Sequence, residues 1–153
     1  MVTQLKQTNK NLYDTDYNLW VIETVKQLEN QDFNSLDLEN LIEEVSDLSR
    51  REKRRLESLL TQLFEHLLKL KYWESEKDYN RNHWKREIQN FRLQINKDLK
   101  ASPSLKNHMR NILNECYRDG KKLAALASSI PLHTFPENPI ATIEQVLDEN
   151  WLP

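Results

Sequence analysis

The side chains best suited to chemistry in this sequence are four carboxylates on one predicted helix: Glu39, Glu43, Glu44 and Asp47. The first, second and last lie four residues apart, a spacing that puts three carboxylates on one helix face. Carboxylate oxygens are the ligands that Mg²⁺ and Mn²⁺ prefer, and these ions support phosphoryl hydrolysis. His66, on the same predicted helix, is a candidate metal ligand or general base. One interpretation is therefore the metal site of a phosphohydrolase or nuclease.

The same residues also have a structural interpretation, which we prefer. Acids near a helix N-terminus complement the helix macrodipole and stay solvated. A carboxylate metal site would need a second acidic pair, and the first predicted helix offers only Glu23 and Glu29, six residues apart. His66 lies on the leucine stripe of its helix, which favours a buried structural histidine that is hydrogen-bonded to a neighbouring helix. No cofactor is expected on this interpretation, and Mg²⁺ or Mn²⁺ is implied only by the enzymatic one.

Other catalytic arrangements find no support in the sequence. It contains no Gly-x-Ser-x-Gly elbow, and a single glycine cannot build a phosphate-binding loop. Cys116 is the only cysteine, which excludes an internal disulfide and a cysteine-based zinc cluster. Its place on an apolar helix face also makes it a poor nucleophile. We therefore expect a non-enzymatic protein.

A run of basic side chains follows the acidic segment: Arg50, Arg51, Lys53, Arg54 and Arg55. These five bases are accompanied by one acid, whereas residues 37–47 hold five acids and no base. Two copies of this helix lying antiparallel would oppose acids to bases, which suits a two-fold homodimer. The basic run is therefore a candidate binding surface for a protein partner or a second copy.

Nucleic acid is an alternative partner for the basic residues. A second basic group lies on the third predicted helix: Arg81, Lys85, Arg86, Arg92 and Lys97. Phosphate contact requires only such charges within reach of a nucleic-acid backbone. However, the net charge is −2, and neither a helix-turn-helix spacing nor an RNA-binding aromatic motif is visible. We expect solvated helix faces here and keep a nucleic-acid-binding regulator as the second alternative.

Apolar spacing predicts the elements that must position these side chains. Residues 36–71 form one helical pattern of about 35 residues without Pro or Gly, interrupted only by the polar segment 49–55. There the helix either leaves the core, is covered by Arg and Lys stems, or kinks. Three further helices are predicted over residues 16–29, 82–99 and 102–127, with a polar linker over 72–80. The predicted apolar stripes of the first helix and of the start of the second are Leu19, Ile22, Val25 and Leu28, then Leu38, Leu41, Ile42, Val45 and Leu48.

Local signals refine the predicted helix ends and contacts. Asp14, Thr15 or Asp16 is expected to cap the first helix, and Ser102-Pro103 to begin the fourth. Gly120 falls in phase with the apolar stripe of the fourth helix, which predicts a close approach of a neighbouring helix. Residues 128–153 carry prolines and many apolar residues, which predicts an extended arm wrapped on the bundle with one short helix, begun by a capping box of Thr142 and Gln145. Residues 1–12 are expected to be loose.

The chain resembles the uncharacterised, largely cyanobacterial family known as domain of unknown function twenty-nine. The motifs that carry the resemblance are residues 13–16 (YDTD) with Trp20, 36–44 (LDLENLIEE), 53–54 (KR) with 56–58 (LES), 66–69 (HLLK), 102–105 (SPSL), 117–119 (YRD), 131–132 (PL) with 135–136 (FP), and 147–148 (LD) with 151–153 (WLP). They extend over nearly the whole chain. The resemblance implies a helical-bundle fold and no established activity, substrate or cofactor.

These observations predict a single all-α domain over residues 1–153. The expected architecture is an antiparallel bundle of four main helices with an extended C-terminal arm and a short terminal helix. No apolar run approaches the ~20 residues that span a bilayer, and no secretory signal is visible, so we expect a cytoplasmic protein. The expected function is a small protein-interaction or regulatory module that binds a protein partner or itself.

Overall fold

Helices account for the secondary structure of residues 11–153, the part of the chain that this computed structural model describes. Residues 11–15 are helical, and no described residue lies in a strand. The further elements are α1 (Tyr17–Glu29), α2 (Leu38–Tyr72), α3 (Glu74–Ala101), α4 (Leu105–Ser128) and α5 (Ile143–Leu147), with 3₁₀ turns at Phe33–Ser35 and Leu132–Thr134. The predicted all-α class with four main helices is therefore confirmed. The predicted loose stretch 1–12 was wrong for residues 11 and 12, which are helical, and its residues 1–10 lie outside the described part.

Two helix starts follow from local sequence as predicted. The side chain of Asp16 accepts a hydrogen bond from the backbone N–H of Leu19 at 3.0 Å, which caps α1. Thr142 and Gln145 form a reciprocal capping box at the start of α5. Both motifs act within one helical turn, so they do not depend on the rest of the fold.

Two predicted boundaries were wrong. Residues 74–80 belong to α3, so Trp73 alone separates α2 from α3, where we had expected a polar linker. This stretch contains no helix breaker, Glu74 and Glu76 lie favourably in the first turn, and the Trp73 ring stacks on Trp84 at 5.5 Å. At the next junction Ser102 ends α3, and α4 begins only at Leu105.

The helix α2 continues through its polar segment. It is one 35-residue helix, so the predicted alternative of a kink that splits it is wrong. Side chains 51–55 are exposed, which means that the helix leaves the core for this stretch. The chain divides into two compact units near this point, Met1–Arg51 and Glu52–Pro153.

The second unit contains a continuous apolar core in which α2, α3 and α4 take part. Arg55 pairs with Asp98 and the Trp73 ring stacks on Trp84, so α3 runs antiparallel to α2. The contacts His108 to Glu57 and Gly120 to Phe64 progress in the same direction, so α4 runs parallel to α2. This up-down-up order is typical of a helical bundle with short connections.

The prediction for Gly120 is confirmed at atomic detail. A Cβ atom added there would lie 2.8 Å from the backbone oxygen of Thr61 and 2.9 Å from Cβ of Phe64. Glycine therefore permits α4 to approach the backbone of α2 more closely than any other residue allows.

The C-terminal arm is held by a buried arginine. Arg92 on α3 is fully buried and donates hydrogen bonds to three backbone oxygens: Val146 (2.8 Å), Trp151 (2.7 Å) and Gln145 (3.2 Å). Burial lowers the pKa of this guanidinium, and the nearby charges of Asp148 and Glu149 oppose that shift. Arg92 was predicted to lie on a solvated basic helix face, and that prediction was wrong.

Candidate functional site

Apolar side chains lie exposed along the first unit. Sixteen large apolar residues among positions 11–153 are exposed, and ten of them fall between positions 17 and 48. They are Tyr17, Leu19, Ile22, Val25, Leu28, Phe33, Leu38, Ile42, Val45 and Leu48, with 38–63% of each residue exposed. The predicted apolar spacing is therefore present on both helices, but most of the side chains in it are exposed and are not packed in a core. The buried residues of α1 are Trp20 and Thr24 instead.

Part of this apolar surface forms a groove between α1 and the beginning of α2. The groove encloses about 240 Å³. Its apolar lining includes Val25 and Leu28 from α1 with Val45 and Leu48 from α2, and Arg51 lies at its edge. Large exposed apolar patches on folded chains are typical of protein or membrane interaction sites and of ligand-binding grooves.

A carboxylate held by two tyrosines also borders the groove. The hydroxyl groups of Tyr13 and Tyr17 each donate a hydrogen bond of 2.6 Å to Glu44, one to each carboxylate oxygen. These bonds lower the pKa of Glu44, and the bond from Tyr13 raises the pKa of that tyrosine to about 12. The rings of Tyr13 and Tyr17 also pack against Trp20 at 4.9 and 5.8 Å. Glu44 is thus ionised and fixed in place.

A second polar anchor joins α1 to the start of α2. The indole N–H of Trp20 and the side-chain amide of Asn40 both donate to Oδ2 of the buried Asp37, at 3.3 and 2.7 Å. Oδ1 of Asp37 is buried without a hydrogen-bond partner among the described residues. Together the two anchors hold the walls of the groove with side chains from positions 13–44.

Two of the remaining acids of the predicted metal set, Glu43 and Asp47, pair with arginines of α2. Arg50 contacts Glu43 at 2.6 Å and Asp47 at 3.3 Å, and Arg51 contacts Asp47 at 2.9 Å. The acidic and basic runs of the sequence therefore meet each other along one helix. These exposed pairs contribute little to stability individually.

No group of three or more His, Cys, Asp or Glu side chains within residues 11–153 has the arrangement of a metal site. Glu39 is exposed in the first turn of α2. His66 belongs to the second unit, where Nδ1 lies 2.8 Å from the carbonyl oxygen of Gln62 on its own helix and burial lowers the pKa of the ring. The metal-dependent enzyme stays a prediction, without an observation here that favours it.

The other reactive or charged candidates are placed as follows. Lys53 and Arg54 are exposed on α2, and Arg55 pairs with Asp98 at 2.8 Å. Burial raises the pKa of the Cys116 thiol to about 11, so it is protonated at neutral pH.

None of the helices in the described part of the chain is long and apolar enough to cross a bilayer.

Replacing Glu44 by Gln should lower the pKa of Tyr13 from about 12 toward its ordinary value of about 10, because the charged acceptor is lost. NMR titration of tyrosine labelled at Cζ measures this directly. Glu43→Gln is the matched control, since Glu43 pairs with Arg50 and is the smallest of the causes that raise the Tyr13 pKa, so its loss should change that pKa far less. An unchanged Tyr13 titration in Glu44→Gln would contradict the assignment.

The same contacts predict a pH dependence of the first unit. The folded state lowers the pKa of Glu44, so the stabilisation from the tyrosine bonds is present above the ordinary glutamate pKa. It is lost as the pH falls through the lower, folded-state value.

The tyrosine cluster and the groove were not predicted from the sequence. Tyr13, Tyr17 and Trp20 lie at i, i+4 and i+7, which is a helical spacing of aromatic residues and the one signal available. Their partner Glu44 is 31 and 27 positions away, so no local pattern could assign it.

One family model, described as domain of unknown function DUF29, matches residues 12–152 of the chain. No curated protein and no solved structure matches it.

Proposed function

Since the chain belongs to the DUF29 family, which is defined as a domain of unknown function, we propose a function from its own surface: a small non-enzymatic module that binds a protein through the groove of α1 and α2. The observation that carries the proposal is the concentration of exposed apolar side chains between positions 17 and 48. Removing such side chains from water drives protein association.

The polar contacts around the groove support this proposal. Preformed surfaces bind with less entropic cost than flexible ones. The tyrosine bonds to Glu44 and the Trp20 bond to Asp37 keep both groove walls in place before a partner arrives. Tyrosine, tryptophan and arginine are also enriched at interface centres, and the groove contains Tyr17, Trp20 and Arg51. We place this interaction in the cytoplasm, in keeping with the single cysteine.

The proposal predicts that the chain carries a partner when it is purified gently from its own host. Native mass spectrometry of the unaltered chain, which keeps Val45 and Leu48, should show a complex of defined mass. The double variant Val45→Asp, Leu48→Asp should lose that partner, because two charges then enter the apolar contact.

The matched control is Leu126→Asp, which changes a leucine on α4 that is 80% exposed and far from the groove in sequence. We expect this variant to keep the partner. If the double variant retains the same complex as the native chain, the groove is not the docking surface.

A further inference from the structure

We propose that the occupant of the groove is a basic amphipathic helix of a partner protein, with one Lys or Arg side chain placed against Glu44. This inference rests on the proposed function, because it names the chemistry of the partner for the same surface. Three properties of the groove support it: its helical walls, the spacing of its apolar lining and the charge of Glu44.

The walls of the groove favour a helical partner. Both walls are helices, so their backbone N–H and C=O groups are paired within each helix. An extended peptide on such walls would find no strand edge with which to pair its own backbone. A helix pairs its backbone internally and presents only side chains, so it can fill the groove without unpaired polar groups.

The apolar lining matches the spacing of a short amphipathic helix. Each wall contributes apolar side chains at i, i+4 and i+7. They are Val21, Val25 and Leu28 on α1, and Leu41, Val45 and Leu48 on α2. This spacing covers about 10 Å, or two helical turns. A partner helix with apolar side chains at i, i+3 or i+4, and i+7 covers the same distance and can contact both walls along it.

Glu44 is a charged side chain of the lining that has no opposite charge beside it. Its two hydrogen-bond donors are neutral tyrosine hydroxyls, and it makes no ion pair within the described part of the chain. Arg51, which also lines the groove, already contacts Asp47 at 2.9 Å. The two tyrosines use about half of the acceptor positions of a carboxylate, so Glu44 can still accept hydrogen bonds from a cation.

An ionised carboxylate within an apolar contact requires a cation from the partner. An apolar partner would remove water from Glu44 without supplying a counter-charge, which costs free energy. A Lys or Arg side chain at this position supplies that charge. Residues 1–51 hold ten acids and five bases, and this excess of negative charge attracts a basic partner at longer range. It also disfavours an acidic helix or an anionic lipid surface.

The test measures binding of defined peptides to the purified full chain by fluorescence anisotropy. The probe is a fluorescein-labelled peptide of about 18 residues, with leucine at i, i+3, i+4 and i+7 and lysine on the flanks. A second peptide carries glutamate in place of every lysine. A third has the composition of the first in an order that gives no apolar face. We expect the first peptide to bind at least about tenfold more tightly than either of the others.

The variant Glu44→Gln tests the position of the charge. It should weaken binding of the lysine peptide by about tenfold, because the cation then loses its carboxylate. Glu43→Gln is the matched control, since it removes the same charge from α2 and Glu43 does not line the groove. We expect it to change binding by at most about twofold, because exposed charges outside the contact are screened. Equal losses in the two variants would overturn the placement of the cation at Glu44.

The double variant Val45→Gln, Leu48→Gln tests the apolar contact without adding a charge. Glutamine is a good helix former, so helical circular dichroism should not change. Binding of the lysine peptide should weaken by about 100-fold, because two apolar contacts are lost. Leu126→Gln is the control, since Leu126 is exposed on α4, and it should bind the peptide as the native chain does. A double variant that binds as tightly as the native chain shows that the peptide does not occupy the groove.

The outcomes for this inference and for the proposed function are distinct. If the native chain binds the lysine peptide no better than the other two peptides, the basic helix is not the occupant. The proposed function then stands with a partner of other chemistry, provided that the complex from the host still depends on Val45 and Leu48. If the host complex does not depend on these two residues, the proposed function and this inference both fail.

Discussion

Replacement of Arg92 by alanine should lower the free energy of unfolding of the second unit by about 3–5 kcal/mol, because a fully buried side chain and its three hydrogen bonds are lost together. The variant removes the Arg92 donor from three backbone oxygens of the C-terminal arm, at positions 145, 146 and 151, of which only Gln145 O keeps a bond, from the backbone N–H of Asp148. A buried acceptor without a donor costs about 1–3 kcal/mol, and the lost side chain also leaves a cavity. Urea unfolding followed by circular dichroism measures the change.

Two further variants show whether the geometry of Arg92 or its charge matters. Arg92→Lys keeps the charge, but an ammonium cannot reach three carbonyl groups as the planar guanidinium does, so we expect an intermediate loss. Arg86→Ala is the matched control, because Arg86 lies exposed on the same helix and should change stability by at most about 0.5 kcal/mol. Equal stabilities of Arg92→Ala and Arg86→Ala would contradict the anchoring role.

Gly120→Val should destabilise the second unit by about 3 kcal/mol, and Gly120→Ala by about 1–2 kcal/mol. The new Cβ would meet the backbone oxygen of Thr61 at 2.8 Å and the backbone nitrogen of Glu65 at 3.0 Å. Because these are backbone atoms, α2 and α4 must move apart, and such overpacking costs about 1–3 kcal/mol or more. Alanine recovers about 1 kcal/mol through its higher helix propensity, and valine recovers less. Thermal unfolding reports both changes.

The control for Gly120 is its exposed neighbour on α4. Asp119→Ala raises helix propensity without bringing an atom toward α2, so it should leave stability unchanged or slightly increased. If Gly120→Ala behaves like Asp119→Ala, the two helices have room between them and the close approach is refuted.

The two large effects lie in the second unit, whereas the proposed interaction lies in the first. This separation is useful for experiments, because variants of the groove residues Val45 and Leu48 do not remove any buried side chain. A groove variant should therefore change association while the core around α2, α3 and α4 stays intact. If such a variant loses binding, the cause is then the lost contact with the partner and not unfolding of the chain.

Sequence alone was sufficient for the features that depend on neighbouring residues. The helical class, the cap at Asp16, the capping box at Thr142 and Gln145, and the close approach at Gly120 were all predicted and are present. Each depends on backbone hydrogen bonds within one turn or on the 3.6-residue period, which the order of residues determines directly.

Tertiary structure decided which of these patterns are buried. The stripe at Leu19, Ile22, Val25 and Leu28 has the same period as a core stripe, yet these residues are 38–46% exposed. A period identifies a face, but burial depends on whether another element covers that face. Arg92 shows the converse, since a charged residue predicted at the surface is buried where backbone oxygens more than 50 positions away satisfy it. The groove and the tyrosine-bound Glu44 likewise arise from residues distant in sequence, and only folding brings them together.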